Sequence, residues 1–146
     1  VAKEARHLAS TRRRLFVTEI DDAWVKALQE DEILAERVEA FASRFGRLQD
    51  TLGEKLLPRM AALAGRRPAA LVELLVAAEK LGWIESADRW LEWRKLRNRL
   101  VPEYMNDPAQ FAQALNEADC ASSELLEAEK HIRAHAVRLG MLARAA

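Results

Sequence analysis

The sequence predicts an all-α protein, an antiparallel up-and-down helical bundle, and three observations predict it. Half of the 146 residues are apolar, with Ala, Leu, Glu and Arg dominant and β-branched residues few. Only five glycines and four prolines interrupt the chain, so long helices are allowed. Apolar residues recur at spacings of three and four over several stretches, with short connections that imply antiparallel neighbours. The length suits one domain, 1–146, able to close a hydrophobic core.

The first helix is expected from about Lys3 to Phe16 and carries the basic run Arg12, Arg13 and Arg14. Asp21 and Asp22 offer cap chemistry for a short helix through Trp24 and Leu28. From Asp31 the pattern strengthens: Leu34, Val38, Phe41, Phe45, Leu48 and Leu52 form the seam of a long packed helix, continued by Leu56, Met60 and Leu63. Pro58 is expected to kink it, since proline removes a backbone donor and crowds the preceding turn. Gly46 and Gly53 lie two turns apart, a spacing that lets another helix approach closely. Gly65 is the expected stop.

Pro68 suits a first helical position, and Ala69 to Leu81 is expected as a short apolar helix ended by Gly82. Ser86 is the expected cap of the next helix, which carries Trp90, Leu91, Leu96, Leu100 and Val101. Asp107 and Gln110 make a capping-box pattern before a last helix running to about Leu142.

Charge and cysteine usage narrow the function classes. Net charge is zero, so the molecule as a whole offers no steering field for nucleic acid or membrane, and any RNA contact must come from a local patch. The single Cys120 excludes an internal disulfide and fits a reducing compartment. No stretch is long and apolar enough to span a bilayer and no signal-peptide pattern is present, so a cytoplasmic location without membrane contact is expected. His131 and His135, with Glu127 a turn earlier, have a spacing that can hold a metal, but the wider pattern of a zinc site is absent and a solvated face is expected. Cys120 lacks the partners of a nucleophile. Trp24, Trp83, Trp90 and Trp93 are expected as core or dimer-seam anchors. No metal or cofactor is expected.

The block RKLRNRLVPEY, Arg94 to Tyr104, carries the most information. Cations near a helix C-terminus stabilise its dipole by about 0.3–1 kcal/mol each, which is the plain reading. Against it, Arg97 and Asn98 sit between Leu96 and Leu100, at positions expected to be buried or interfacial, and arginine suits bidentate phosphate recognition. On a continuing helix Arg97, Val101 and Tyr104 would share one stripe. Pro102 conflicts with that helix. An interior proline costs about 3 kcal/mol, forfeits the bond to the Asn98 carbonyl and is cheap only where the helix already ends. The helix is therefore expected to end or kink just past Arg97 and Asn98, exposing carbonyls near them. Gln49 and Asp50 either face this helix in the bundle or serve in capping and surface solvation, the second role being slightly favoured.

The stretch RNRLVPEY resembles the signature of HEPN-domain proteins: an Arg-Asn pair, a spacer, then His, one residue and Tyr. RFGRLQD, Arg44 to Asp50, and EKLGWIESADRWLEWRKLRN, Glu79 to Asn98, are similar to the corresponding segments of bacterial HEPN toxins, which are encoded beside a minimal nucleotidyltransferase antitoxin. The resemblance runs from about Ala40 to Leu115. It implies a helical bundle that dimerises, with the motif helices of two protomers facing across a cleft, and a metal-independent ribonuclease acting on RNA. Arg97 is then the phosphate-binding arginine and Asn98 its polar neighbour, with Asp50 and Arg94 as possible supporting residues. Tyr104 matches the tyrosine that some cognate nucleotidyltransferases modify with AMP. The motif histidine is missing, because its position is Pro102, which has no ionisable group. The expectation is a toxin-like ribonuclease that is catalytically impaired as written. The alternative is a non-catalytic subunit that binds nucleotide or substrate for a minimal nucleotidyltransferase.

Overall fold

The computed structural model describes residues 1–101 and 106–141, and among these every regular element is helical. Seven α-helices follow in chain order: α1 (Ala2–Leu15), α2 (Asp22–Lys26), α3 (Glu32–Asp50), α4 (Leu57–Leu63), α5 (Leu71–Lys80), α6 (Ala87–Asn98) and α7 (Pro108–Arg138). A 3-10 turn, Ala27–Glu30, links α2 to α3, and a π-helical segment, Thr51–Leu56, links α3 to α4.

The caps explain most of the boundaries. Asp21 accepts from the Trp24 amide at 2.8 Å, Asp31 from Leu34 at 3.0 Å, Ser86 from Arg89 at 3.0 Å and Asp107 from Gln110 at 3.1 Å, each satisfying an amide that the first turn leaves without a partner. At the other end, α4, α5 and α7 close with one motif. The amide of Arg66 returns to the Ala61 carbonyl, that of Trp83 to Ala78 and that of Met141 to Ala136, around glycines with φ near +76°. Gly140 is why α7 ends at Arg138 and not near Leu142.

One expectation is corrected, and another takes a specific form. Helix α5 starts at Leu71, and Pro68 is not its first residue, because Ala70 is extended and the Glu73 carboxylate accepts from the Ala69 amide at 2.9 Å. That reach-back from the third helical position fixes the start two residues late. Pro58, expected to kink the long helix, distorts it without ending it. The chain stays helical from Glu32 to Leu63, and the turn before Pro58 widens to the π form, which relieves the clash of the ring with the carbonyl four residues back.

The core forms where α3 meets its neighbours. Val38, Phe41, Phe45, Leu48, Leu52, Leu56 and Met60 are all buried, as the seam predicts, while Leu63 in the last turn of α4 is exposed. Phe16 meets Phe41 edge to face at 5.1 Å, and Phe41 stacks on Phe45 at 6.0 Å. Trp83, Trp90 and Trp93 are buried, and Trp24 packs half-buried against the same cluster. Helix α3 touches both α1 and α6. Thr51 donates to Glu4, Arg44 bonds at His7 and Thr11, and Phe41 meets Phe16, so α1 and α3 run in opposite senses. No helix among the described residues is long and apolar enough to cross a membrane.

Candidate functional site

Helix α6 ends at Asn98. The Arg99 amide turns back to the Leu96 carbonyl at 2.9 Å and the Leu100 amide to Arg97 at 3.2 Å, so the last turn tightens. The expected end just past Arg97 and Asn98 is where the helix stops, but the Leu96 and Arg97 carbonyls are taken and not free. A stripe joining Arg97 to Val101 does not form, since Val101 lies beyond the helix, on an exposed bend. Pro102 and Tyr104 lie outside the described residues.

Burial of Trp90, Trp93 and Leu96 on one side of α6 turns Arg97 toward α3. There Arg97 Nη1 donates to Asp50 Oδ1 at 2.5 Å and Nη2 to Oδ2 at 3.0 Å, a two-pronged fork on the carboxylate. Gly46, one turn before Asp50, provides the room. A Cβ at that position would stand 2.9–3.1 Å from the guanidinium. A Cβ at Gly53 would make only ordinary contact, at 3.6–3.9 Å, with the Leu71 and Trp90 side chains, so the close approach that the spacing of the two glycines allows is realised at Gly46 alone.

The pair is electrostatically settled. The Arg97 hydrogen bonds hold the Asp50 carboxyl below its ordinary range, against the opposing effect of partial burial, and the charge of Arg94 adds to this. Asp50 in turn raises Arg97, with a smaller contribution from Glu54. Among the described residues Arg97 gives two of its five N–H donors, both to Asp50, and its side chain is 28% exposed. It remains a fixed cation that an incoming oxyanion can reach.

Gln49 supports the same contact from inside. It is buried, and its Nε2 donates to the Trp93 carbonyl at 3.4 Å, one turn before Arg97. Of the two roles that the sequence leaves open for Gln49 and Asp50, both residues take the one facing α6. Asn98 is not part of this cluster. It is exposed and borders a surface cavity of about 260 Å³ with Arg99, Asp107 and Gln110.

A larger groove of about 1010 Å³ runs between α2, α6 and α7, with Trp93, Leu96 and Asn116 in its lining and Arg89, Glu92 and Glu117 among its charged groups. Nothing in the sequence signals it. Neither Arg97 nor Asp50 lines it, and several of its charges are paired, with Arg89 bridging Glu92 and Glu124 across its edge and Arg99 meeting Glu117.

His131 and His135 pack edge to face at 4.7 Å, and His131 Nε2 lies 2.7 Å from the Gly82 carbonyl, to which it donates. That nitrogen anchors the turn before α6 to α7. No group of three candidate metal ligands occurs among the described residues. Cys120 is exposed.

Compared with family models, curated proteins and solved structures, the chain matches none.

Proposed function

We propose that this chain is a HEPN toxin-like ribonuclease, catalytically impaired as written because Pro102 stands where the motif has histidine. The observation that supports it best is Arg97 at the last turn of α6, forked on Asp50 above Gly46. A guanidinium fixed in place, partly exposed and at a helix end is what in-line chemistry on a phosphodiester needs from its phosphate-binding group. In the intact reaction the ribose 2′-oxygen attacks the adjacent phosphorus and loses its proton to the motif base. The bond to the 5′-oxygen breaks, and that oxygen takes a proton from water, leaving a cyclic phosphate and a 5′-hydroxyl. Arg97 balances the charge that grows on the non-bridging oxygens. A base at position 102 is the missing part, and its loss removes about 10²–10⁴-fold in rate.

The finer architecture belongs to the same proposal: an up-and-down antiparallel bundle that pairs about a twofold axis through α6, and control by a minimal nucleotidyltransferase that places AMP on Tyr104. Added phosphate there would bring negative charge to a segment that follows Arg94, Arg97 and Arg99 in sequence, and a charge that reached them would compete with RNA.

A second reading, a binding subunit of a nucleotidyltransferase with no catalysis of its own, draws on the closed state of the pair, since Asp50 already answers the charge of Arg97. Expression of Pro102→His separates the two. Growth arrest relieved by Arg97→Ala supports the ribonuclease, and growth equal to that of the parent supports the binding subunit. Incubation with a neighbouring nucleotidyltransferase, ATP and magnesium should label the parent and not Tyr104→Phe. Equal labelling of both would remove Tyr104 as the acceptor.

A further inference from the structure

Charge is spread unevenly along two helices that run in opposite senses. The first half of α3 holds Glu32, Glu36 and Glu39 against Arg37, whereas the half from Arg44 to Asp50 holds Arg44 and Arg47 against Asp50 alone. On α1 the cations far outnumber the single acid, Glu4, which is taken up by the Thr51 hydroxyl at 2.7 Å. Because α1 reverses on α3, its first turns, with Lys3 and His7 exposed, lie beside the basic half of α3. Helix α6 flanks α3 on the other side, at Gly46 and Asp50, with Arg97 and Arg94.

What sets these cations apart is their grouping on three adjoining helices, α1, α3 and α6; being unpaired does not, since Arg66 and Arg67 also have no ion pair among the described residues. Arg12, Arg89, Arg99 and Arg133 are each in an ion pair. Among the described residues Lys3, Arg44, Arg47 and Arg94 have no carboxylate at ion-pair distance, and only Arg97 of this group has one, Asp50. Arg44 is held by neutral oxygens instead. Its Nη1 donates to the Thr11 hydroxyl and to the His7 carbonyl, which fixes the guanidinium in the seam between α1 and α3 without neutralising it.

We propose that this face, from Arg94 and Arg97 across Arg47 and Arg44 to His7 and Lys3, is a track for the phosphate backbone of single-stranded RNA, leading the strand to Arg97. The inference rests on the ribonuclease reading for its destination and extends it to where the rest of the strand lies. Two helix-to-helix spacings of about 8–10 Å each separate α1 from α6, enough for several consecutive phosphates. Cations that contact phosphates position a strand without reading its sequence, so the track is indifferent to base identity. It also answers how a chain of zero net charge gathers a polyanion: the attraction is local.

The test uses the chain as it stands, with Pro102, so that binding is measured without cleavage. A 5′-fluorescein-labelled single-stranded RNA of twelve nucleotides is titrated by fluorescence anisotropy at several salt concentrations. Replacing the exposed pair by Lys3→Ala and Arg47→Ala together should weaken binding about tenfold at low salt and flatten the slope of log affinity against log salt by about 1.4. Arg66→Ala with Arg67→Ala removes the same charge from the exposed connection between α4 and α5 and should leave both quantities unchanged. Circular dichroism melts of both double variants should match the parent, since all four side chains are exposed. Three outcomes overturn the track: no RNA binding by the parent, parental binding by the Lys3/Arg47 variant, or an equal loss in both double variants. An RNA-binding track with an inert Pro102→His variant would instead leave the track standing and remove the ribonuclease.

Discussion

At the scale of single residues, the site depends on three side-chain positions with different physical roles. Asp50 orients Arg97, Arg97 supplies the cation, and Gly46 supplies space. Gly46→Ala sets two effects against each other. Alanine improves helix propensity by about 1 kcal/mol, while displacing the guanidinium from Asp50 loses a partly exposed ion pair worth about 0.2–1 kcal/mol. Stability should change little, within about 0.5 kcal/mol by urea unfolding. In a Pro102→His background, however, cleavage should fall at least tenfold. A Gly46→Ala revertant that cleaves at full rate would show that the position of the Arg97 guanidinium is immaterial.

Asp50→Asn should lower stability at neutral pH by less than about 1 kcal/mol, because both partners are partly exposed and their attraction is screened by solvent. The pH dependence has a definite sign. The folded-state carboxyl titrates below its ordinary 3.8, so the stabilisation is complete above that value and is lost as pH falls through the lower folded-state value. Unfolding midpoints measured from pH 6 downward should converge for parent and Asp50→Asn on the acid side. Parallel curves across that range would contradict the pairing.

At the scale of elements, the helices legible in the sequence are those whose ends carry local chemistry. Asp21, Asp31, Ser86 and Asp107 each cap as their residue types suggest, and Gly65 and Gly82 end α4 and α5. Ser86→Ala should cost about 1 kcal/mol, read from the denaturation midpoint, and more than Asp88→Ala in the same helix. Equal effects would mean that the cap does not set the start of α6. The misplaced start of α5 has a local cause. Pro68 satisfies a rule for helix starts, but the Glu73 carboxylate competes for the Ala69 amide, and a side-chain reach of that kind is invisible to periodicity. The disturbance expected at Pro58 takes the form of a widened turn, because the buried seam on both sides of it, Leu52, Leu56, Leu57 and Met60, keeps the helix continuous.

At the scale of the whole molecule, the candidate site was half legible. Arg97 stands out in the sequence because a cation between two core leucines needs a reason, whereas for Asp50 the sequence leaves open whether it faces α6 or solvent. Asn98 was grouped with Arg97 by the Arg-Asn pair of the resemblance; neighbours on a helix point about 100° apart, and Asn98 borders a different cavity from the Arg97 contact. The basic face was not legible, because it is assembled from three helices and depends on α1 reversing against α3. Twofold pairing through α6 predicts a dimer by light scattering at micromolar concentration, the commonest closed symmetry for one kind of chain, and a monomer there would count against a shared cleft.

The most direct test of the proposed activity is RNA cleavage by Pro102→His in the presence of EDTA, with the parent and the Pro102→His, Arg97→Ala double variant alongside. The expected result is cleavage by the single variant alone, giving 5′-hydroxyl ends, at least 10²-fold faster than the parent. Cleavage by the parent at the same rate, or by the double variant, would contradict the roles given to position 102 and Arg97.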